Sequence, residues 1–292
     1  MRFSGVRLPA ITPFAHGEID YRAYERLVDH CVKIGVTGVI PLGTTGESPT
    51  IDEEETERIV ERTVAVVAGR VPIVVGVSGN DTRKVVKRLP RHSIQGVLAV
   101  CPYYNRPGQD GMREHFRCIA EATDRPILIY NIPYRTGVNL TNDTLLGLAE
   151  IPNIVGVKDS SGSIAQSLEL LRQRPDGFSV LTGEDAYFYT MLAHGGDGGI
   201  LAAAHVETAV FLAVYERMAA NDHQGARKAW SRVEPLVPLL FKEPNPVPIK
   251  HCLWRQGLIA SPECRLPLTR ISDGLARRLD TVLADDRRAR AA

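Results

Sequence analysis

Short apolar runs alternate with amphipathic stretches along most of the chain. "VRLPAIT" (6–12), "VTGVIPLG" (36–43), "VPIVVGV" (71–77), "GVLAVCP" (96–102), "PILIYNIP" (126–133), "NIVGVKD" (153–159), "FSVLTG" (178–183) and "GGILAAA" (198–204) are apolar almost throughout. Parallel strands covered on both faces have this pattern, because neither face meets water. The segments between them have helical spacing. Tyr24, Leu27, Val28 and Cys31 fall at i, i+3, i+4 and i+7, with Asp20 placed to cap the start and Gly35 to end the helix. The next helix has capping-box spacing in Asp52 and Glu55, three acids in its first turn where the helix dipole favours them, and Gly69 to close it. Thr141 and Ser163 mark further starts, and Pro90 inside "VVKRLPRHSIQG" predicts a truncated third helix.

Eight strand-helix units predict an α/β fold, a (β/α)8 TIM barrel, because eight strands close without an edge and each crossover returns right-handed to the same sheet. A doubly wound open sheet is the alternative, but G-x-G-x-x-G after the first strand and the P-loop pattern are both missing. Past residue 204 no strand pattern remains, and helices are expected over 205–220, 222–240 and from Val247 onward. The expected organisation is a catalytic barrel over 1–224 and a C-terminal helical appendage over 225–292, ending in the charged, frayed tail "DDRRARAA" (285–292).

Composition narrows the partners. The chain has 292 residues, 35 basic and 34 acidic side chains and a net charge of +1. It therefore offers no electrostatic footprint for nucleic acid. No segment approaches the roughly 18 uninterrupted apolar residues of a membrane span. The first ten residues, "MRFSGVRLPA", lack the apolar core of a signal peptide, so the cytoplasm is the expected compartment. Five scattered cysteines without a C-x-x-C pair point to reduced thiols, not to disulfides or zinc. Small-molecule partners are expected.

A barrel carries its chemistry at the carboxyl ends of its strands. Thr44, Thr45 and Glu47 in "GTTGES" follow the second strand, Tyr103 and Tyr104 in "PYYNRP" the fourth, and Tyr130 and Arg135 in "YNIPYRTG" the fifth. Lys158 ends the sixth strand, Gly183, Glu184 and Asp185 follow the seventh, and Ile200 lies in the eighth. An apolar strand that runs into Lys158 holds an amine where desolvation lowers its pKa, and a neutral amine attacks a ketone to give an imine. A protonated imine is an electron sink, which lets an α-keto acid become an enamine nucleophile without metal or cofactor. Tyr130 hydrogen-bonded to Thr44 suits the proton transfers, and Thr45 and Arg135 suit a substrate carboxylate.

Each residue alone has a plainer reading. A lone lysine at a strand end usually reaches solvent or pairs with an acid, and Asp159 is a poor partner because successive strand residues face opposite ways. Glu184 and Asp185 read as a helix start, "HGGDGG" (194–199) as a tight turn, and His205 and His251 as structural histidines. The chemical reading rests on lysine, tyrosine, threonine and arginine falling together at one barrel mouth.

"GTTGES", "PYYNRP", "YNIPYRTG", "GVKDSSG", "KEPNPVPIK" and "CRLPLT", in order over nearly the whole chain, resemble the dihydrodipicolinate synthase and N-acetylneuraminate lyase superfamily of class I aldolases. Arg135, the twin threonines and the double tyrosine are most similar to its dihydrodipicolinate synthase branch. The resemblance implies condensation of pyruvate with aspartate 4-semialdehyde in lysine biosynthesis, by a homotetramer built as a dimer of dimers. It implies Lys158 as the imine-forming lysine, Tyr130 as proton relay, Thr44 as its link, and Tyr104 as a tyrosine that reaches a neighbouring subunit's site. It further implies Thr45 at the pyruvate carboxylate, Arg135 at the second substrate, and Gly183 and Ile200 lining the pocket. Lys84, Glu53 and Thr56 stand where lysine-inhibited members carry a glutamate and histidines, so weak or absent lysine inhibition is expected. "DSSG" in place of "EATG", and "ILAAAH" in the eighth strand, keep a second activity open. That activity is an imine-forming aldolase or dehydratase acting on a 2-keto-3-deoxy sugar acid, 4-hydroxy-2-oxoglutarate or a sialic acid-like substrate. A non-catalytic binding protein on the same barrel is disfavoured by the complete set of Lys158, Tyr130, Thr44 and Tyr104.

Overall fold

The computed structural model describes residues 2–291, with side chains through residue 285. Eight parallel strands form one sheet: β1 (Gly5–Leu8), β2 (Gly38–Val39), β3 (Val74–Val77), β4 (Gly96–Val100), β5 (Ile127–Asn131), β6 (Ile154–Asp159), β7 (Ser179–Thr182) and β8 (Gly198–Ile200). The sheet order is β2-β1-β8-β7-β6-β5-β4-β3, and a parallel bridge from Val39 to Ile73 brings its two ends together. This is the expected TIM barrel. Every predicted strand is present, but the strands are shorter than the apolar runs. In the second run only Gly38 and Val39 pair as a strand, and Pro41, which has no N–H for a ladder, opens the loop that follows. A two-stranded hairpin (Phe14–Ala15, Glu18–Ile19) was not anticipated, since each arm is two residues long and shows no period.

The helices begin and end largely where the caps predict. α1 (Tyr21–Ile34) starts with Ala23 N–H donating to the Asp20 carboxylate and ends at Gly35. α2 (Glu53–Val67) has both bonds of the Asp52/Glu55 capping box but closes at Ala68, one residue before Gly69. α3 (Thr82–Lys87) has six residues and stops ahead of Pro90. α4 (Gln109–Glu121), α5 (Asn142–Leu148) capped by Thr141, α6 (Ile164–Gln173) capped by Ser163, α7 (Phe188–Ala193) and α8 (Thr208–Ala219) complete the ring. The expected helix over 205–220 starts later because Ala203–His205 forms a separate 3-10 turn. The expected helix over 222–240 is two helices, α9 (His223–Val233) and α10 (Val237–Leu240), with Pro235 between them and Pro238 in the first turn of the second. α9 carries the boundary drawn at 224 within it. α11 (Val247–Arg255) and α12 (Asp273–Ala291) follow, and the side chains of the tail from 286 onward lie outside the described residues.

Two apolar layers result from strand alternation. Val6, Val39, Val97, Ile129, Val157 and Val180 face the helices, where they join the buried stripes of the ring. Phe3, Ile40, Val74, Leu98, Leu128 and Leu181 fill the barrel interior beneath Tyr130 and Ile200. In β6 the register slips: Ile127 pairs with Ile154 but Leu128 pairs with Gly156, so Val155 is an extra residue. This bulge sets the phase of the strand and brings Lys158 opposite Tyr130 on the interior face.

Candidate active site

Tyr130, Lys158 and Leu181 are register partners on β5, β6 and β7. Parallel partners share a face, so lysine and tyrosine project together into the mouth of the barrel. Asp159, next in sequence, points the other way and accepts hydrogen bonds from Ser161 N–H and the Ser167 hydroxyl. Lys158 is 6% exposed, and burial draws its amine down to about 8. Asp185 and Glu184 oppose that fall, because carboxylates favour the ammonium, while Arg135 reinforces it. Lys158 Nζ stands 4.0 Å from the centroid of the Tyr130 ring.

Burial pushes the Tyr130 phenol well above its ordinary range, opposed by the Arg135 guanidinium and by the side chains of Ser160 and Thr44. At neutral pH the phenol therefore holds its proton and can donate it. Thr44 opens the 3-10 turn Thr44–Gly46 directly after β2. Thr45 is buried, and its Oγ1 accepts from Asn245 Nδ2 at 3.0 Å. Arg135 lies on the one-turn helix Pro133–Thr136, exposed at the rim with its charge reaching both Tyr130 and Lys158. Gly183 is where a side chain would collide: a Cβ there would sit 2.5 Å from Lys158 Cε and 2.3 Å from Ser160 Oγ. Ile200 is buried in the interior cluster with Tyr130.

The structure thus gathers Lys158, Tyr130, Thr44, Thr45, Arg135, Gly183 and Ile200 at one mouth. Tyr104 stands apart, 87% exposed with a left-handed backbone (φ 71), and does not enter the site of its own chain. A surface depression lined by Thr141, Gln166, Glu169 and Arg172 lies outside the barrel and contains none of these residues.

Glu184 and Asp185, placed at the mouth in the sequence but preferred as a helix start, and Ser160, not singled out there, also stand beside the lysine. Asp185 opens the 3-10 turn Asp185–Tyr187, in keeping with its reading as a helix start, and is also buried; it accepts Ala203 N–H at 2.7 Å, and burial raises its carboxyl to about 7. Glu184 is half-buried and raised in the same direction, mainly by burial. Ser160 Oγ is fully enclosed beside Lys158 and makes no hydrogen bond of normal geometry, as is true of Glu184 Oε1. The signal for all three was their position at a strand end of the same mouth. By contrast, His205 and His251 have the structural roles expected of them: His205 accepts Ile11 N–H, and His251 pairs with Asp280.

The sequence profile of the Dihydrodipicolinate synthetase family matches residues 2–285. The chain belongs to that family. Among its members, 4-hydroxy-tetrahydrodipicolinate synthase 2 of Clostridium acetobutylicum is 50% identical over 286 residues, which cover 97% of this chain and 100% of that protein. The crystal structure of dihydrodipicolinate synthase from Aquifex aeolicus has a TM-score of 0.94 at 37% identity and covers 98% of each chain. The synthase structure from Cyanidioschyzon merolae, solved with lysine bound, has a TM-score of 0.92 at 34% identity over 97% of each chain. Within this family framework, Lys158, expected from the sequence motifs to form the imine, is enclosed at the barrel mouth with the Tyr130 ring over it.

Proposed function

We propose that the chain is a 4-hydroxy-tetrahydrodipicolinate synthase, a Schiff-base-forming lyase that condenses pyruvate with aspartate 4-semialdehyde in the diaminopimelate route to lysine. The observation that carries this reading is a buried Lys158 amine held near 8 at the mouth of a family barrel. The neutral amine adds to the keto carbon of pyruvate and water leaves, giving an imine. Loss of a methyl proton to a base forms the enamine, and its terminal carbon bonds to the aldehyde carbon of the second substrate. The amino group of that substrate then adds to the imine carbon and displaces Lys158 as the free amine. Tyr130, linked to Thr44, gives a proton to the carbinolamine hydroxyl as it leaves as water and to the aldehyde oxygen as the new bond forms. Thr45 holds the pyruvate carboxylate, Arg135 the carboxylate of the semialdehyde, and Gly183 and Ile200 shape the pocket.

Tyr104, turned away from its own barrel, suits a role in a neighbouring subunit's site, and the proposed assembly is a homotetramer of two tight dimers. The five cysteines are free thiols, which suits a reducing cytoplasm. A second reading draws on Ser160 Oγ and Glu184 Oε1. Two enclosed polar atoms that lack a well-formed hydrogen bond among the described residues would meet a hydroxyl, as on a 2-keto-3-deoxy sugar acid. Borohydride reduction in the presence of pyruvate, followed by peptide mass spectrometry, is expected to place one adduct on Lys158, and Lys158→Ala is expected to abolish turnover. Coupled turnover of pyruvate with aspartate 4-semialdehyde, compared with cleavage of a panel of 2-keto-3-deoxy acids, separates the two readings. A faster rate on any member of the panel would displace the synthase.

A further inference from the structure

Lys250 is the most deeply buried charge in the C-terminal region, 0% exposed on α11, and the chemistry above does not use it. Its ammonium is 2.5 Å from Glu47 Oε1, donates to the Glu263 carbonyl at 2.8 Å, and lies 4.2 Å from the centroid of the Phe14 ring. Glu47 immediately follows the Thr44–Gly46 turn. Its N–H closes that turn onto the Thr44 carbonyl at 3.0 Å, and its backbone is left-handed (φ 56, ψ 35), a conformation that costs energy in any residue with a Cβ. Its second carboxylate oxygen accepts Arg265 N–H at 3.0 Å.

Two further residues join the same parts. Asn245, just ahead of α11, donates to Thr45 Oγ1. Arg265, in "CRLPLT", donates to the Thr50 carbonyl and forms a two-pronged pair with the capping-box Glu55, at 2.6 and 2.5 Å. The C-terminal region therefore grips the β2–α2 loop at Thr45, Glu47, Thr50 and Glu55. A buried ion pair is a poor way to gain stability, since apolar groups of the same shape do as well or better, but it fixes orientation.

We propose that Lys250 is a positioning residue for pyruvate capture: paired with Glu47, it locks the strained turn that presents Thr44 and Thr45 to the substrate. The C-terminal region thus serves the mouth, holding at Thr45 and Glu47 a turn that the Thr12 hydroxyl also secures at the Gly46 carbonyl. With Lys250 removed, Glu47 loses its counter-charge, its carboxylate is driven toward water, and the turn relaxes with it. A displacement of about 1 Å at a substrate contact lowers catalysis by up to about a hundredfold.

This inference rests on the pyruvate reading of the site, so the wild-type chain is the first arm of the test. If it traps no pyruvate on Lys158 under borohydride, the site reading fails, and this one falls with it. Given trapping, Lys250→Met and the neutral pair Glu47→Gln/Lys250→Met are compared for Tm, trapping rate and KM of each substrate. The single variant is expected to lose Tm and to raise the pyruvate KM about tenfold, with the semialdehyde KM held within about twofold. The double variant is expected to recover Tm, having no uncompensated buried charge, while its pyruvate KM stays raised. A pyruvate KM that returns to the wild-type value together with Tm would overturn the proposal, because the pair would then be a stability element only. Should neither variant fold, Asn245→Ala, which leaves the ion pair intact, decides: a raised pyruvate KM upholds the clamp and an unchanged one overturns it.

Discussion

Lys158 Nζ lies 4.0 Å from the centre of the Tyr130 ring, the two side chains facing each other from paired positions on adjacent strands. An aromatic face favours the ammonium form, and so do Asp185 and Glu184. Burial outweighs them and holds the amine at about 8. The ring, wall and carboxylates together produce a lysine that gives up its proton near neutrality yet can regain it as a protonated imine.

The pH dependence follows with a definite sign. Only the neutral amine attacks, so the rate of pyruvate trapping is expected to rise with pH through about 8 and then level off. Asp185 raises the Lys158 pKa, so Asp185→Asn is expected to lower it further and move the rising limb to more acidic pH. Asparagine retains an oxygen for Ala203 N–H, which keeps the loop in place. A limb unmoved or displaced to higher pH in the variant would remove Asp185 from the electrostatics of the lysine.

Gly183 gives a steric test. A methyl group there would overlap Lys158 Cε and Ser160 Oγ, both buried and neither free to swing into solvent. Gly183→Ala is expected to cost about 1–3 kcal/mol of stability through overpacking. It is also expected to lower kcat/KM on the order of a hundredfold by moving the amine from its line of attack. Thermal melting and steady-state rates check both; an alanine variant with wild-type kcat/KM would mean that the amine reaches its substrate from another side.

What could be read from the sequence was what is local. Strand runs, the Asp20 and Thr141 caps and the Asp52/Glu55 box depend on neighbours a few residues away, and the structure has them. The lysine was legible because an apolar strand ended in a charge, but its inward direction depends on the Val155 bulge, which no period reveals. The contacts that shape the site are long-range: Asn245 to Thr45, Lys250 to Glu47 and Asp185 to Ala203 join separate loops. Asp185 does open a helical turn, as an acid ahead of "AYFYTML" suggests, but its burial beside the lysine depends on long-range packing that composition does not show.

Arg7 tests the interior from below. It is 4% exposed on β1, its Nε and Nη1 have no hydrogen-bond partner among the described residues, and its guanidinium lies 4.7 Å from the centre of the Phe3 ring in the barrel core. Burial draws it down to about 10, against a smaller opposing pull from Tyr215. The ring contact recovers up to about 2 kcal/mol, less than an enclosed unpaired charge costs. Arg7→Met, of similar reach, is therefore expected to stabilise the chain by about 1–3 kcal/mol. The corresponding gain is a few degrees, at about 2–4 °C per kcal/mol, with KM values unchanged. A lower Tm on scanning calorimetry would show that the guanidinium is compensated in solution.

Lysine inhibition is the last prediction, and it turns on charge. A lysine effector carries two ammonium groups and needs acceptors where it docks. Of the three positions that the family resemblance implies for the effector, Lys84 presents a like charge from α3 and Thr56 presents a neutral hydroxyl. Glu53 is the one acid, and Arg88 already donates to it at 3.1 Å. Repulsion from Lys84 and competition from Arg88 both weaken an incoming ammonium, while surface screening leaves little long-range attraction to offset them. L-lysine is therefore expected to leave the initial rate nearly unchanged at millimolar concentration. Half-inhibition at or below that concentration would show that the effector binds through other groups.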